Sequence, residues 1–172
     1  MIHSENPFLP GPEDRDPVRR FRGRLAAGVT IVTSGSDQRR TGLTVSSLLV
    51  VEGEPPIALV VAGPTTDLWE ITAGTGRFIV HVCRLGQQRL ADVFAGLAPS
   101  PGGVFASVET TDSPWGPVLG ALPDRLYCSF AAREEVGWSG LIRGIVDRVE
   151  ISDLTDPLVH FRSVYHRLAE RV

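Results

Sequence analysis

Thr41-Gly42-Leu43-Thr44-Val45-Ser46-Ser47-Leu48-Leu49-Val50-Val51-Glu52 is the stretch on which the reading of this chain turns. It is β-branched and aliphatic, lacks proline, and follows a polar turn over Ser34 to Arg40, the composition of a strand entered from a hairpin. Just upstream, Val29-Thr30-Ile31-Val32-Thr33-Ser34 has the same character. The two runs are expected to pair. A period of two puts Thr44 and Ser46 on one face and Val45 and Ser47 on the other. A strand this rich in hydroxyls either meets a ligand, its small side chains allowing close approach, or faces water.

Working outward, Pro55 and Pro56 break the chain before Ile57 to Ala62, a short apolar run of the kind buried on both faces. Gly63-Pro64-Thr65-Thr66-Asp67 follows, and Thr66 or Asp67 caps a helix to about Ala73. Unpaired amides at that helix start suit a phosphate with Thr65 and Thr66 as ligands, and they equally suit an ordinary capped helix with Asp67 as the cap. Gly74 and Gly76 end the helix, Arg77 to Cys83 reads as a strand, and Gln87 to Phe94 as a further helix. Residues 96–117 form a long loop of the functional kind. Strands are expected at about 124–134, 140–151 and 158–162, with Tyr165 to Val172 as a tail.

At the other end, Asp16 and Pro17 open an amphipathic helix to about Ala27, with Val18, Phe21 and Leu25 spaced by three and four. Residues 1–16 are expected to be an extended or mobile arm and 17–172 a single domain. Many strands, few helices and short connections indicate a mainly β fold: an antiparallel barrel with peripheral short helices.

Composition closes off several function classes. The 172 residues are 42% hydrophobic and 22% charged, as in an ordinary globular domain. A net charge of -3 provides no field for nucleic acid, and the Arg19, Arg20, Arg22, Arg24 cluster reads as a solvated helix face. Apolar runs are far short of the roughly 20 residues of a membrane span, and no secretory h-region is present, so the expected compartment is the cytoplasm. Cys83 and Cys128 sit in apolar strand settings as buried thiols. The four histidines, His3, His81, His160 and His166, have no metal-site spacing, so no metal is expected. His160 and His166 read as surface or interface side chains, and the role of His81 is open. Arg39 and Arg40, on the turn before Thr41, either pair with a phosphate or are solvated. Trp115 either lids a pocket or pins its loop.

The segments AAGVTIVTS (26–34), GLTVSSLLVVEGEPPIALVV (42–61), TGRFIVHVC (75–83), QQRLADVFA (87–95) and PLVHFRSVYHRL (157–168) occur in an order and spacing that resembles the flavin reductase-like family. That family includes the reductase components of two-component flavin monooxygenases. The resemblance covers roughly residues 18 to 168 and implies an FMN-binding split β-barrel of Greek-key type, a homodimer with the flavin at the subunit interface, and bound FMN or FAD reduced by NADH or NADPH. It implies an NAD(P)H-dependent flavin reductase supplying or using reduced FMN with a partner monooxygenase. Carried over residue by residue, it assigns Thr44, Val45, Ser46 and Ser47 to the flavin ring and ribityl chain, Gly63, Thr65 and Thr66 to a second contact region, and Phe94 and Tyr165 to further contacts. No GxGxxG unit is present, in keeping with a family that holds the nicotinamide against the flavin without a Rossmann domain.

One departure bears on mechanism. Where the family commonly has Gly-Asp-His beside the nicotinamide, this chain reads Gly137-Trp138-Ser139 before Gly140 and Gly144; alternatively, the loop is a residue or two shorter and no role is replaced. Trp138 and Ser139 are therefore the candidates on the nicotinamide side. The indole would stack on a nicotinamide, a flavin or another aromatic substrate, or pack on the barrel rim or dimer interface. Hydride transfer needs stacked placement more than an acid or base, so the loss weakens nicotinamide recognition without excluding the chemistry. The alternative it raises is an FMN-dependent oxidoreductase or flavin-binding protein acting on an organic substrate, with nicotinamide reduction weakened or lost.

Overall fold

The strand that begins at Thr41 bends at Ser46 and Ser47, and the rest of the architecture follows from that bend. The computed structural model describes residues 16–168; the expected arm, except Asp16, and the last four residues of the expected tail lie outside the described residues. Twelve strands run in chain order: β1 (Ala27–Gly28), β2 (Thr30–Ser34), β3 (Thr41–Val45), β4 (Leu48–Val51), β5 (Ile57–Ala62), β6 (Arg77–Val82), β7 (Thr110–Thr111), β8 (Val118–Leu119), β9 (Arg125–Val136), β10 (Ser139–Glu150), β11 (Val159–Phe161) and β12 (Val164–His166). Three helices, α1 (Pro17–Arg22), α2 (Asp67–Thr75) and α3 (Gln88–Phe94), lie around them.

Seven strands form one antiparallel sheet in the order β3-β2-β6-β9-β10-β5-β4. Its outermost strands, β3 and β4, are consecutive in the chain. On one side Val45 pairs with Thr30; on the other Leu48 pairs with Val60, and the Val61 amide donates to the Ser47 carbonyl at 2.9 Å. With only Ser46 and Ser47 between its two edges, the sheet has to curl until they meet. The result is the expected mainly β split barrel with short helices outside. The expected continuous strand over residues 41–52 is corrected to two strands on opposite edges.

Two apolar layers cover the sheet. Val32, Val45, Val60, Leu68, Trp69, Phe78 and Ile142 fill the inside of the curl. Val29, Ile31, Phe94, Phe105, Leu119 and Leu158 form a second layer under α3 and the long loop. β2 lies between them, Val32 facing in and Ile31 out, and all five of its residues are buried. Its hydroxyls are consequently paired: Thr30 donates to the Val45 carbonyl and Thr33 to the Pro117 carbonyl, each at 2.7 Å. Cys83 and Cys128 are buried and unbridged. Burial pushes both thiols up to about 12, with Asp147 adding to the effect at Cys128.

Other expectations need correction. α1 has the Asp16 cap, whose carboxylate accepts from the Val18 and Arg19 amides at 2.7 and 3.3 Å, but it stops at Arg22 and buries none of its residues. Without a packed face, nothing extends it past Gly23. β5 is buried on one face only, Ala58, Val60 and Ala62 pointing in, while Val61 on the other face is 38% exposed. Tyr165 belongs to β12, which pairs with β11, and is not part of a tail.

His81 proves structural. Its Nε2 accepts from the Leu119 amide at 3.1 Å, which leaves Nδ1 to donate to the Ile31 carbonyl at 3.1 Å. Burial pushes the imidazole down from 6.5 to about 3, so between those pH values the unfolded chain binds a proton that the folded chain refuses. The stabilisation is complete above pH 6.5 and is lost as pH falls towards 3. Urea unfolding across this window should show a slope of about 1.4 kcal/mol per pH unit from this group. His81→Gln should remove that slope while lowering stability at neutral pH; unchanged slopes would rule out His81 as the source.

Candidate functional site

The bend at Ser46 and Ser47 places the end of β3 beside the end of β5, and the segment after β5 turns directly into α2. Ser47 is exposed and Ser46 half-buried. Alternation holds as far as the bend: Leu43 and Val45 face the inner layer, while the Thr44 hydroxyl donates outward to the Ala91 carbonyl of α3 at 2.7 Å. Thr44 and Val45 therefore shape the wall, and Ser46 and Ser47 offer polar groups at its rim.

Gly63 to Thr66 lies next to this rim. Thr66 is the N-cap of α2, yet its hydroxyl makes no cap bond and donates instead to the Gly63 carbonyl at 2.7 Å. Asp67 is the first helical residue and not the cap. The N-terminal amides of α2 are thus left uncapped by either side chain, beside an exposed Thr65. Such a terminus favours a phosphate through both its donors and its dipole.

The β9–β10 hairpin completes the cluster. Gly140 of β10 pairs with Ala62, so Ser139 stands at the level of Gly63. The two-residue loop Gly137-Trp138, with Gly137 at φ 60, has glycine in the first loop position, as type II′ hairpins require. Trp138 at its tip is 98% exposed. The structure thus brings Ser46, Ser47, Gly63, Thr65, Thr66 and Ser139 to one end of the barrel, with Trp138 projecting beyond it.

Two candidates are occupied elsewhere. Phe94 is buried in the outer layer, against Gly42 and edge-on to Phe105 at 5.2 Å. The Tyr165 hydroxyl donates to Asp92 at 2.8 Å, and burial followed by that carboxylate raises its pKa. Both brace α3, which in turn holds Thr44. Arg39 and Arg40 lie at the opposite end of β3, roughly 20 Å of strand from Ser46, and Arg40 stacks over Phe105 at 4.7 Å. Trp115 pins its loop: its indole N–H donates to Asp147 at 2.8 Å and its ring meets Tyr127 edge-on. Among the described residues no His, Cys, Asp or Glu cluster fits a metal ion.

Sequence reasoning missed Trp69 and Arg133. A side chain at Gly140 would overlap the Trp69 ring, so the indole of α2 sits flush on β10. Arg133 of β9 stacks over that indole at 4.8 Å, donates to the Trp69 carbonyl at 2.6 Å and lies 3.5 Å from Glu70. This clamp fixes the hairpin to the helix whose start forms the site. The available signal was a glycine inside a strand pattern, which marks close approach of another group.

Comparison with known proteins gives the family. The family described as "Flavin reductase like domain" matches residues 22–169. The "4-hydroxyphenylacetate 3-monooxygenase, reductase component" of Thermus thermophilus is 30% identical, over 90% of this chain and 97% of its own length. The "NADH-dependent FMN reductase AsuE2" of Streptomyces nodosus subsp. asukaensis is 32% identical, over 91% and 86%. Among solved structures, the Streptomyces globisporus NADH:FAD oxidoreductase SgcE6, in complex with NAD and FAD fragments, superposes with a TM-score of 0.81 at 25% identity, covering 94% of this chain and 97% of that one.

The clamp generates a test. Gly140→Ala should cost about 1–3 kcal/mol through overpacking, and Trp69→Leu should relieve much of that cost when combined with it. Additive losses in a double-mutant cycle of urea unfolding would show that the two residues do not share the strain.

Proposed function

This chain belongs to the flavin reductase like domain family, and from that premise we propose that it is an NADH- or NADPH-dependent reductase of FMN, with FAD as the other candidate flavin. The observation that carries the reading is the uncapped start of α2 beside the Ser46–Ser47 bend, with Ser139 of β10 alongside. The donor set fits a flavin mononucleotide: helix amides and Thr65 for the phosphate, hydroxyls and main chain of the bend for the ribityl chain and ring edge. Bound flavin would accept a hydride from the nicotinamide and carry the electrons onward. The protein's part is placement. Leu43 and Val45 keep the wall apolar, Thr44 ties that wall to α3, and the Trp69–Arg133 clamp holds the hairpin at a fixed height over the site. The missing Asp and His do not displace this reading, because hydride transfer needs stacked placement more than an acid or base.

A homodimer is part of the proposal. On the outside of β4 and β5, Leu49, Val51 and Val61 are exposed and adjoin the half-buried Ile57 and Leu59. A contiguous apolar strip of this kind marks an association surface, and it adjoins the bend through β4 and the Gly63–Thr66 segment through β5. The reduced flavin is proposed to serve a partner monooxygenase, as the name of the Thermus relative suggests for that protein. The proposed compartment is the cytoplasm; among the described residues no helix is long and apolar enough to cross a membrane.

NADH oxidation followed at 340 nm should require added FMN, and a rate independent of flavin would overturn the proposal. Thr65→Glu sets a carboxylate against the phosphate position, so KM for FMN should rise about tenfold, or about 1.4 kcal/mol. KM for riboflavin, which lacks the phosphate, should barely move; equal shifts would place the phosphate elsewhere. Leu49→Glu combined with Val61→Glu should yield a folded monomer by light scattering, with flavin turnover largely lost. A dimeric double variant would show that the strip is not the interface.

A further inference from the structure

We propose that the tip of the β9–β10 hairpin docks onto α1 of a second copy of this chain, once at each end of a two-fold dimer; this rests on the dimeric reading above. Both elements lack covering partners among the described residues. α1 buries none of its residues, with Val18 and Phe21 at 76% and 65% exposure, and the hairpin tip leaves Val136 and Trp138 exposed.

Their chemistries are complementary. Pro17, Arg20 and Phe21 of the helix and Arg24 just beyond it line a shallow surface depression of about 180 Å³. The hairpin tip presents Glu134, Glu135 and the indole of Trp138. Glu134 and Glu135 point to opposite faces of β9, and Glu134 lies 4.0 Å from Arg143, so one tip carboxylate can pair with an arginine of α1 while the indole packs beside Phe21.

Geometry requires the contact to be made between copies. The Arg162 amide, in the β11–β12 turn, donates to the Gly23 carbonyl at 3.1 Å, and β11 pairs with β1. That small sheet joins the barrel where Cys83 bonds Val29 and Leu158, next to the start of β9. The hairpin tip is at the other end of the 12-residue strands β9 and β10, roughly 35 Å away. A chain's own tip therefore cannot reach its own α1. A two-fold axis through the β4–β5 strip that sets the strands of two copies antiparallel brings each tip to the end of the other copy at which α1 lies, and makes any such contact twice.

The test uses full-length Val18→Cys, Val136→Cys and the double variant, each treated with a short bis-maleimide. Cys83 and Cys128 are buried and leave the added thiols as the reactive ones. Most of the double variant should be joined into covalent pairs of chains, and neither single variant should be. Light scattering on the same samples reads the dimer independently, as twice 18.6 kDa. A dimeric mass without cross-linking in the double variant would overturn the docking while sparing the dimer. Cross-linking in a single variant would overturn it too, because like ends would then meet. A monomeric mass would overturn both readings.

Discussion

The two residues between β3 and β4 are the constraint on which the molecule depends. Because Ser46 and Ser47 must span from one edge of the sheet to the other, seven strands cannot lie flat, and the curl brings the two edge strands β3 and β4 to a common bend. The same two residues cannot keep the alternation of either strand. They are therefore left with polar groups outside the ladder, at the point where β5 delivers the chain to α2. Closure of the fold and creation of the site are one event in the backbone.

The start of β9 and the end of β10 are built differently. Arg125 donates to Glu150 at 2.8 Å and to the Leu119 and Leu122 carbonyls, and Tyr127 donates to Glu150 at 2.9 Å. The Arg125 guanidinium, more than any other neighbour, holds the Glu150 carboxyl below its usual range. Burial works to raise Asp124, but the Ser152 amide and hydroxyl with Arg84 outweigh it and keep that carboxyl low. Single exposed ion pairs contribute little; here each charged group also satisfies buried main chain or hydroxyl partners, which ties the start of β9, the end of β10 and the segment after it together. These polar groups brace the fold, whereas those of the bend and of the α2 start are left for a ligand.

The fold was largely legible because it is written in short periods. Strand alternation, Gly and Pro punctuation and the Asp16-Pro17 helix start are local signals, and the elements they mark are present. What local signals do not contain is which edge a strand joins, so residues 41–52 read as one strand and the apolar run of β5 as buried on both faces. The outer face of β5 is apolar without being covered by its own chain, a distinction invisible in composition. In the candidate site, the hydroxyl-rich run through Ser46 and Ser47 and the Gly63 to Thr66 segment before a helix start stood out by residue type, while their assignment to a flavin came through the family resemblance. Phe94 and Tyr165 were assigned through the family resemblance, and their observed work is packing and bracing α3. The Trp69–Gly140–Arg133 clamp could not be read because its three members are brought together only by the pairing of β10 with β5.

The burial of the two cysteines has a consequence for the chemistry proposed. Reduced flavin that meets dioxygen before an acceptor yields hydrogen peroxide, so a protein releasing it works beside an oxidant of thiols. Oxidation begins from the thiolate and requires access. Cys83 and Cys128 are buried and pushed up to about 12, so they stay protonated at physiological pH and out of reach. The apolar interior that holds the barrel together also makes the chain tolerant of its own by-product.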